Sequence, residues 1–279
     1  MVSKSAEKAV VGQLFRHCSD DAPLPVHQSS YRQFHSTEMA LLKVQSDILS
    51  NMDKQEVTLL VLLDLTAALD TVDHNILESD FGICGDVLKW FRSYLTGRVQ
   101  RAIVNQQSSK TFNLNYGVPQ GSCLGPVLFR LYAPRLFEVV KKHLPSVNGY
   151  ADDTQLYVSF RPDSFAAQDQ AIKAIENCIA DVRAWLVSHR LMFNDSKTEF
   201  LIIGSSQQLS KVTIASIKVG DCDIQPLKHV RDLGTWFDNH MSMNTHIGKL
   251  EGFIILGKLG NMCLQNQQSV LFMRLLHHI

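Results

Sequence analysis

Three aspartates stand where carboxylates can act together. Asp64 follows the apolar run Val57-Thr58-Leu59-Leu60-Val61-Leu62-Leu63, and Asp152-Asp153 lie between Val147 and the alternating Leu156, Val158 and Phe160. A short, continuously apolar run predicts a strand buried on both faces, and the second pattern predicts a β-hairpin with acidic residues at its tip. Magnesium takes carboxylate oxygens from a few rigid positions and leaves its other coordination sites to water and phosphate. A pair of such ions can neutralise a triphosphate and make an attacking hydroxyl more acidic, which is what nucleotidyl transfer requires. Singly, Asp152-Asp153 reads as a solvated turn and Asp64 as the end of a strand; only their combination points to chemistry.

The surrounding pattern must bring a strand end and a hairpin tip together. A helical stretch from Ala6 to His17 is punctuated by Asp20, Asp21, Pro23 and Pro25. Ser36 then caps a helix with Leu41, Leu42, Ile48, Leu49 and Met52 on one face. After the apolar strand, a helix over Val87 to Leu95 leads to Gly97. Two strands, Val99 to Val104 and Thr111 to Leu114, follow across the polar turn Asn105 to Lys110. Trp90, Phe91 and Tyr94 fit core packing better than base stacking at this helical spacing. Gly117 to Gly125 is a loop, in which Gly121 permits close approach of a ligand and Gln120 offers both a donor and an acceptor; a plain helix entry shaped by Pro119, Gly121 and Pro126 is the alternative. Pro126 to His143 is helical with an expected kink or break at Pro134. Beyond the acidic hairpin, Ile172, Ile175, Ile179, Val182 and Leu186 keep helical spacing; Phe200 to Ile203, Val212 to Val219 and a segment near Leu233 read as strands, and the tail from His246 is helix-like. This order predicts an α+β architecture with an antiparallel-rich sheet.

Composition restricts the partners rather than naming them. The 279 residues, 45% hydrophobic, suffice for one sizeable core, and 27 basic side chains balance 27 acidic ones, so a nucleic acid would have to be held by a local patch or through bound cations. Six scattered cysteines without Cys-x-x-Cys spacing argue against a zinc module or disulfide framework and fit an intracellular environment, nucleus or cytoplasm left open. The N-terminus has no signal-peptide core, and the longest apolar stretch is too short to span a bilayer, so neither secretion nor membrane insertion is expected.

Taken in order, the motifs resemble the reverse transcriptase domain of LINE-type (non-long-terminal-repeat) retrotransposons. The segment from Leu62 through Asp64 to His74 resembles motif A, Gly117-Val118-Pro119-Gln120-Gly121-Ser122 motif B, and Tyr150-Ala151-Asp152-Asp153 motif C. Upstream, Gln28 to Arg32 and His35-Ser36-Thr37-Glu38 resemble the segment preceding motif A. Downstream, Asn194 to Glu199 is similar to motif D, and Val230-Arg231-Asp232-Leu233-Gly234 with Phe237-Asp238 to the primer grip, motif E. The resemblance covers nearly the whole chain and implies a right-hand polymerase palm with partial fingers and a truncated thumb. The division it implies is 1–56 for fingers and N-terminal helices, 57–245 for the palm, and 246–279 for the start of a thumb or connection region. It makes Asp64, Asp152 and Asp153 the Mg2+ ligands, with the Leu65 carbonyl assisting. Leu65, Ala68, Leu69, Gln120 and Gly121 would meet the incoming nucleotide, Lys197 the pyrophosphate, and Leu233 and Gly234 the primer end. An RNA template, a DNA primer and deoxynucleoside triphosphates are the implied partners; oligomeric state is left open. The LINE-like flanks argue against an RNA-directed RNA polymerase.

Several positions depart from the pattern. Leu69 stands where the family usually places an aromatic residue against the sugar, and the interval from His74 to Phe81 is about two helical turns short. Ser3 to Val10 resembles the region just after an arginine-bearing fingers motif, and the chain stops soon after motif E. Weak or absent polymerase activity is therefore one expectation, with a non-catalytic remnant that at most binds nucleic acid as the alternative.

Overall fold

The computed structural model describes residues 2–21, 30, 35–66, 83–114, 122–151, 153–189, 192–193 and 197–249. In chain order the elements are helices α1 (Val2–Asp21) and α2 (Thr37–Asp53), strand β1 (Val57–Thr66), helix α3 (Gly85–Leu95), and short strands β2 (Arg98–Gln100), β3 (Ile103–Val104), β4 (Gln107–Ser108) and β5 (Phe112–Leu114). Helix α4 (Gly125–Lys141), the hairpin β6 (Ser146–Tyr150) and β7 (Asp153–Phe160), helix α5 (Phe165–Ser188), β8 (Met192–Phe193) and β9 (Glu199–Ile203) follow. Helix α6 (Ser206–Leu209) and the hairpins β10 (Ile217–Val219) with β11 (Cys222–Ile224) and β12 (His229–Asp232) with β13 (Thr235–Asp238) complete the set.

Strand β1 is the axis of the sheet. It pairs antiparallel with β7, from Val57↔Phe160 to Asp64↔Asp153, and on its other edge with β9, from Thr58↔Ile203 to Leu62↔Glu199. Its last residues pair with β8, and β6 lies outside β7. Because side chains alternate across a strand, the apolar run divides between two cores. Leu59, Val61 and Leu63 join Phe137, Val140, Ile175 and Val182 of α4 and α5, while Leu60 joins Leu41, Val44 and Ile48 of α2 with Val230 and Phe237. Leu59 is fully buried. Leu59→Ala is expected to cost about 3 kcal/mol, read as a lower urea midpoint; a loss below about 1 kcal/mol would show that this two-sided burial is not central to stability.

The helix ends follow local chemistry. Ser36 Oγ accepts from the Met39 N–H (3.4 Å) at the start of α2, and Ser205 and Gln208 form a reciprocal capping box on α6. No helix among the described residues is long and apolar enough to cross a membrane.

Some expectations are corrected. Leu42 and Leu49 are exposed, because the buried stripe of α2 runs instead through Ala40, Leu41, Val44, Gln45 and Ile48. Helix α4 continues through Pro134 as one element. The turn after Val104 is tighter than Asn105 to Lys110: Asn105 and Gln106 take φ 49° and 65°, the left-handed pair of a two-residue hairpin loop, so the arm breaks into two short ladders. Within Val212 to Val219 only Ile217–Val219 is a strand. The buried Gln168 side chain takes the Thr213 N–H (3.0 Å) and the Lys211 carbonyl (3.0 Å), diverting that backbone from a ladder. At the tail, residues 244–249 are helical.

Candidate polymerase site

The ladder brings two of the singled-out aspartates side by side: Asp64 and Asp153 are Cα partners at the end of the β1–β7 pairing. Tyr150 and Asp153 close the β6–β7 ladder, so Ala151-Asp152 is a two-residue connection. Ala151 takes φ 57°, the positive value such a loop demands of its first residue and one an alanine adopts only at a cost of roughly 1 kcal/mol or more. Leu233, the first residue of the β12–β13 turn, is likewise at φ 44°, with Gly234 at φ 93°. These two tips, like the Asn105-Gln106 turn, hold non-glycine residues in the left-handed region, where the backbone carries local strain.

Between these tips lies a cleft of about 380 Å³ lined by residues that include Leu62, Asp153, Lys197, Glu199, Arg231 and Leu233. It joins the end of motif C to Lys197 of motif D and Leu233 of motif E. Asp152, Ala68, Leu69, Gln120 and Gly121 lie outside the described residues, and Asp64 and Leu65 enter through their places in β1. Among the described residues no three metal-ligating side chains cluster.

Gln155 and Asp232 in the cleft lining belong to a polar network that sequence reading missed. Asp232 is 3% exposed, and the Gln155 Nε2 donates to both its carboxylate oxygens (2.7 and 2.8 Å); Gln155 Oε1 in turn accepts from Asn148 Nδ2. Burial pushes the Asp232 carboxyl up to about 7, the Gln155 bond opposes this, and the charges of Asp153 and Glu199 push further upward. Burial also raises Glu199, against the hydrogen bond of the Arg231 backbone and the charge of His229. The alternation hid it: Gln155 is two residues after Asp153, on the face opposite Leu156, Val158 and Phe160, where a polar residue is expected and its burial leaves no local trace.

Zero net charge also concealed a segregation. From Val87 to Phe137 the chain contains no aspartate or glutamate, while Lys89, Arg92, Arg101 and Lys110 are exposed. In the same region Phe91 is buried and Trp90 stacks on Tyr94 with ring centroids 5.4 Å apart, in keeping with core packing.

An antiparallel sheet with helices on its faces and an acidic hairpin at the end of its central strand defines a right-hand polymerase palm. Apo telomerase from Candida tropicalis has this fold, with TM-score 0.53 at 12% identity over 85% of this chain and 40% of that one. Its form truncated from the C-terminal domain gives 0.50 at 14% identity over 80% and 44%. A reverse transcriptase (RNA-dependent DNA polymerase) profile matches residues 1–241, and the chain belongs to that family. It is 26% identical over 259 residues to the probable RNA-directed DNA polymerase from transposon BS of Drosophila melanogaster, and 24% identical over 253 residues to that from transposon X-element of the same organism. Each match covers 88% of this chain but only 27% and 26% of the relative's length. The LINE-type resemblance read from the motifs therefore holds: this is a reverse transcriptase domain of retrotransposon origin.

Proposed function

We propose that this domain performs RNA-directed DNA synthesis by two-magnesium nucleotidyl transfer, with Asp64, Asp152 and Asp153 as its metal-holding carboxylates. The supporting observation is the cleft that joins Asp153, Lys197 and Leu233 beside the register pair Asp64↔Asp153. The donor set fits magnesium: hard carboxylate oxygens, with Asp64 and Asp153 on adjacent strands of one sheet and Asp152 next to Asp153 in the chain, and the Leu65 carbonyl as a further oxygen. When bound, the ions would neutralise the triphosphate and favour ionisation of the primer hydroxyl.

The chain's own groups do the rest. Lys197 supplies a fixed positive charge or a proton for the departing pyrophosphate. Leu233 and Gly234, at the β12–β13 tip, hold the primer end, while Leu65, Ala68, Leu69, Gln120 and Gly121 form the surface that meets the deoxynucleotide. The acid-free segment from Val87 to Phe137 offers the local positive charge a template–primer duplex needs on a chain of zero net charge. Residues 1–56 serve as N-terminal helices of the fingers, 57–245 as the palm, and 246–279 as the start of a thumb or connection.

Primer extension on an RNA template tests this reading. Incorporation of deoxynucleotides that requires Mg2+ is the expected result; duplex binding without extension would instead support a non-catalytic remnant. In the same assay Leu69→Phe is expected to raise the preference for deoxynucleotides over ribonucleotides by about tenfold, because a larger side chain excludes the 2′-hydroxyl. An unchanged ratio would remove Leu69 from the sugar contact.

A further inference from the structure

Glu7 of α1 is 5% exposed. A carboxylate taken out of water needs compensating donors, and those Glu7 meets belong to a distant part of the chain. Its Oε2 accepts from the Cys123 N–H (2.7 Å) and from the Ser122 hydroxyl (3.2 Å). Ser122 has one hydroxyl proton, and with that proton directed at Glu7 the Tyr94 hydroxyl of α3 must donate to Ser122 Oγ (2.8 Å). Ser122 Oγ also accepts from the N–H groups of Leu124 (3.0 Å) and Gly125 (3.2 Å), where α4 begins. A buried anion here also complements the positive end of the α4 dipole. Three helices thus converge on the two residues that directly follow Gln120-Gly121 in the sequence.

We propose that Glu7 is a positioning residue for nucleotide binding, fixing Ser122 and Cys123, which directly follow Gln120-Gly121 in the chain. This rests on the reading that Gln120 and Gly121 meet the incoming nucleotide. With Ser122 and Cys123 fixed, the point of the chain to which Gln120-Gly121 are attached is fixed. Once Ser122 and Cys123 are released, the nucleotide must supply that order on binding, which weakens nucleotide binding and leaves the hold on the template–primer duplex nearly unchanged.

The test uses the full chain with poly(rA) template and a dideoxy-terminated oligo(dT) primer, so that dTTP binds without reacting. Hydrogen exchange is followed at the Cys123, Leu124 and Gly125 amides, and the dTTP half-saturation and duplex affinity are measured. Glu7→Leu is expected to speed exchange at these amides and raise the dTTP half-saturation about tenfold, with duplex affinity within about twofold. Glu7→Gln, which keeps an acceptor oxygen, should stay within about threefold of wild type. Ser122→Ala, a smaller change should Glu7→Leu fail to fold, should raise the half-saturation about fivefold. Faster exchange with unchanged dTTP binding in either variant would overturn the inference while sparing the proposed function. A wild-type complex that binds duplex but no dTTP would overturn both.

Discussion

Replacing Asp64 or Asp152 by asparagine is expected to cut RNA-templated primer extension by on the order of a thousandfold while the chain stays folded. Asparagine keeps the shape of the side chain and removes the charge that a hard dication requires. Asp64 is the register partner of Asp153, and Asp152 is its chain neighbour, so each exchange takes one charge from the same place. The fold should not suffer. Asp153, Glu199 and Asp232 already gather at this end of the sheet, where burial raises Glu199, and burial together with the charges of Asp153 and Glu199 raises Asp232. Removing a carboxylate nearby relieves repulsion, so the melting temperature is expected to stay level or rise. Asp221→Asn, on the exposed turn between β10 and β11, is the control and should leave extension unchanged. Full extension by Asp64→Asn or Asp152→Asn would remove that residue from the metal site, and joint loss of activity and fold would make its role structural.

The second large effect concerns stability against pH and comes from Asp232. Its carboxyl, ordinarily near 3.8, is pushed up to about 7 by burial, with Asp153 and Glu199 adding to the rise and the Gln155 bond opposing it. Below pH 3.8 the folded and unfolded chains both hold the proton, and this contribution to stability is fully present. As pH rises, the unfolded chain releases the proton first. Stability therefore falls and the contribution is lost as pH passes through about 7, a descent of up to about 4 kcal/mol. Asp232→Asn imitates the protonated acid and keeps an acceptor for Gln155. Measured by urea unfolding in EDTA, where no cation can add charge beside Asp153, the variant should match wild type near pH 4 and exceed it by up to about 4 kcal/mol near pH 8. Parallel stability curves across that range would show that Asp232 does not ionise within the folded chain.

The same network shows why one carboxylate was legible in the sequence and another was not. Asp64 follows a run of seven residues with an apolar pattern on both faces, and Asp152-Asp153 sit at the reversal of an alternating pattern; period and punctuation place both without knowledge of any neighbour. Asp232, by contrast, looks like an ordinary polar residue before a turn. Its burial arises because the β12–β13 hairpin folds onto the sheet and sets it against Gln155, which is 77 residues away. Leu42 and Leu49 failed for a related reason: both are apolar, but burial depends on which stripe of α2 meets β1 and the β12–β13 hairpin, and they fall outside it.

The sequence by itself determined the order of elements, the antiparallel character of the sheet and the membership in the reverse transcriptase family, because local periodicity and ordered short motifs survive without a partner in view. Only the tertiary structure decided the Asp64↔Asp153 register, the cleft joining Asp153 to Lys197 and Leu233, the pairing of Gln155 with Asp232, and the reach of Glu7 to Ser122 and Cys123. Those are contacts between distant residues. The desolvation that raises a carboxyl, or that makes a buried anion depend on one amide, is set by whatever happens to pack around it, which no local pattern records.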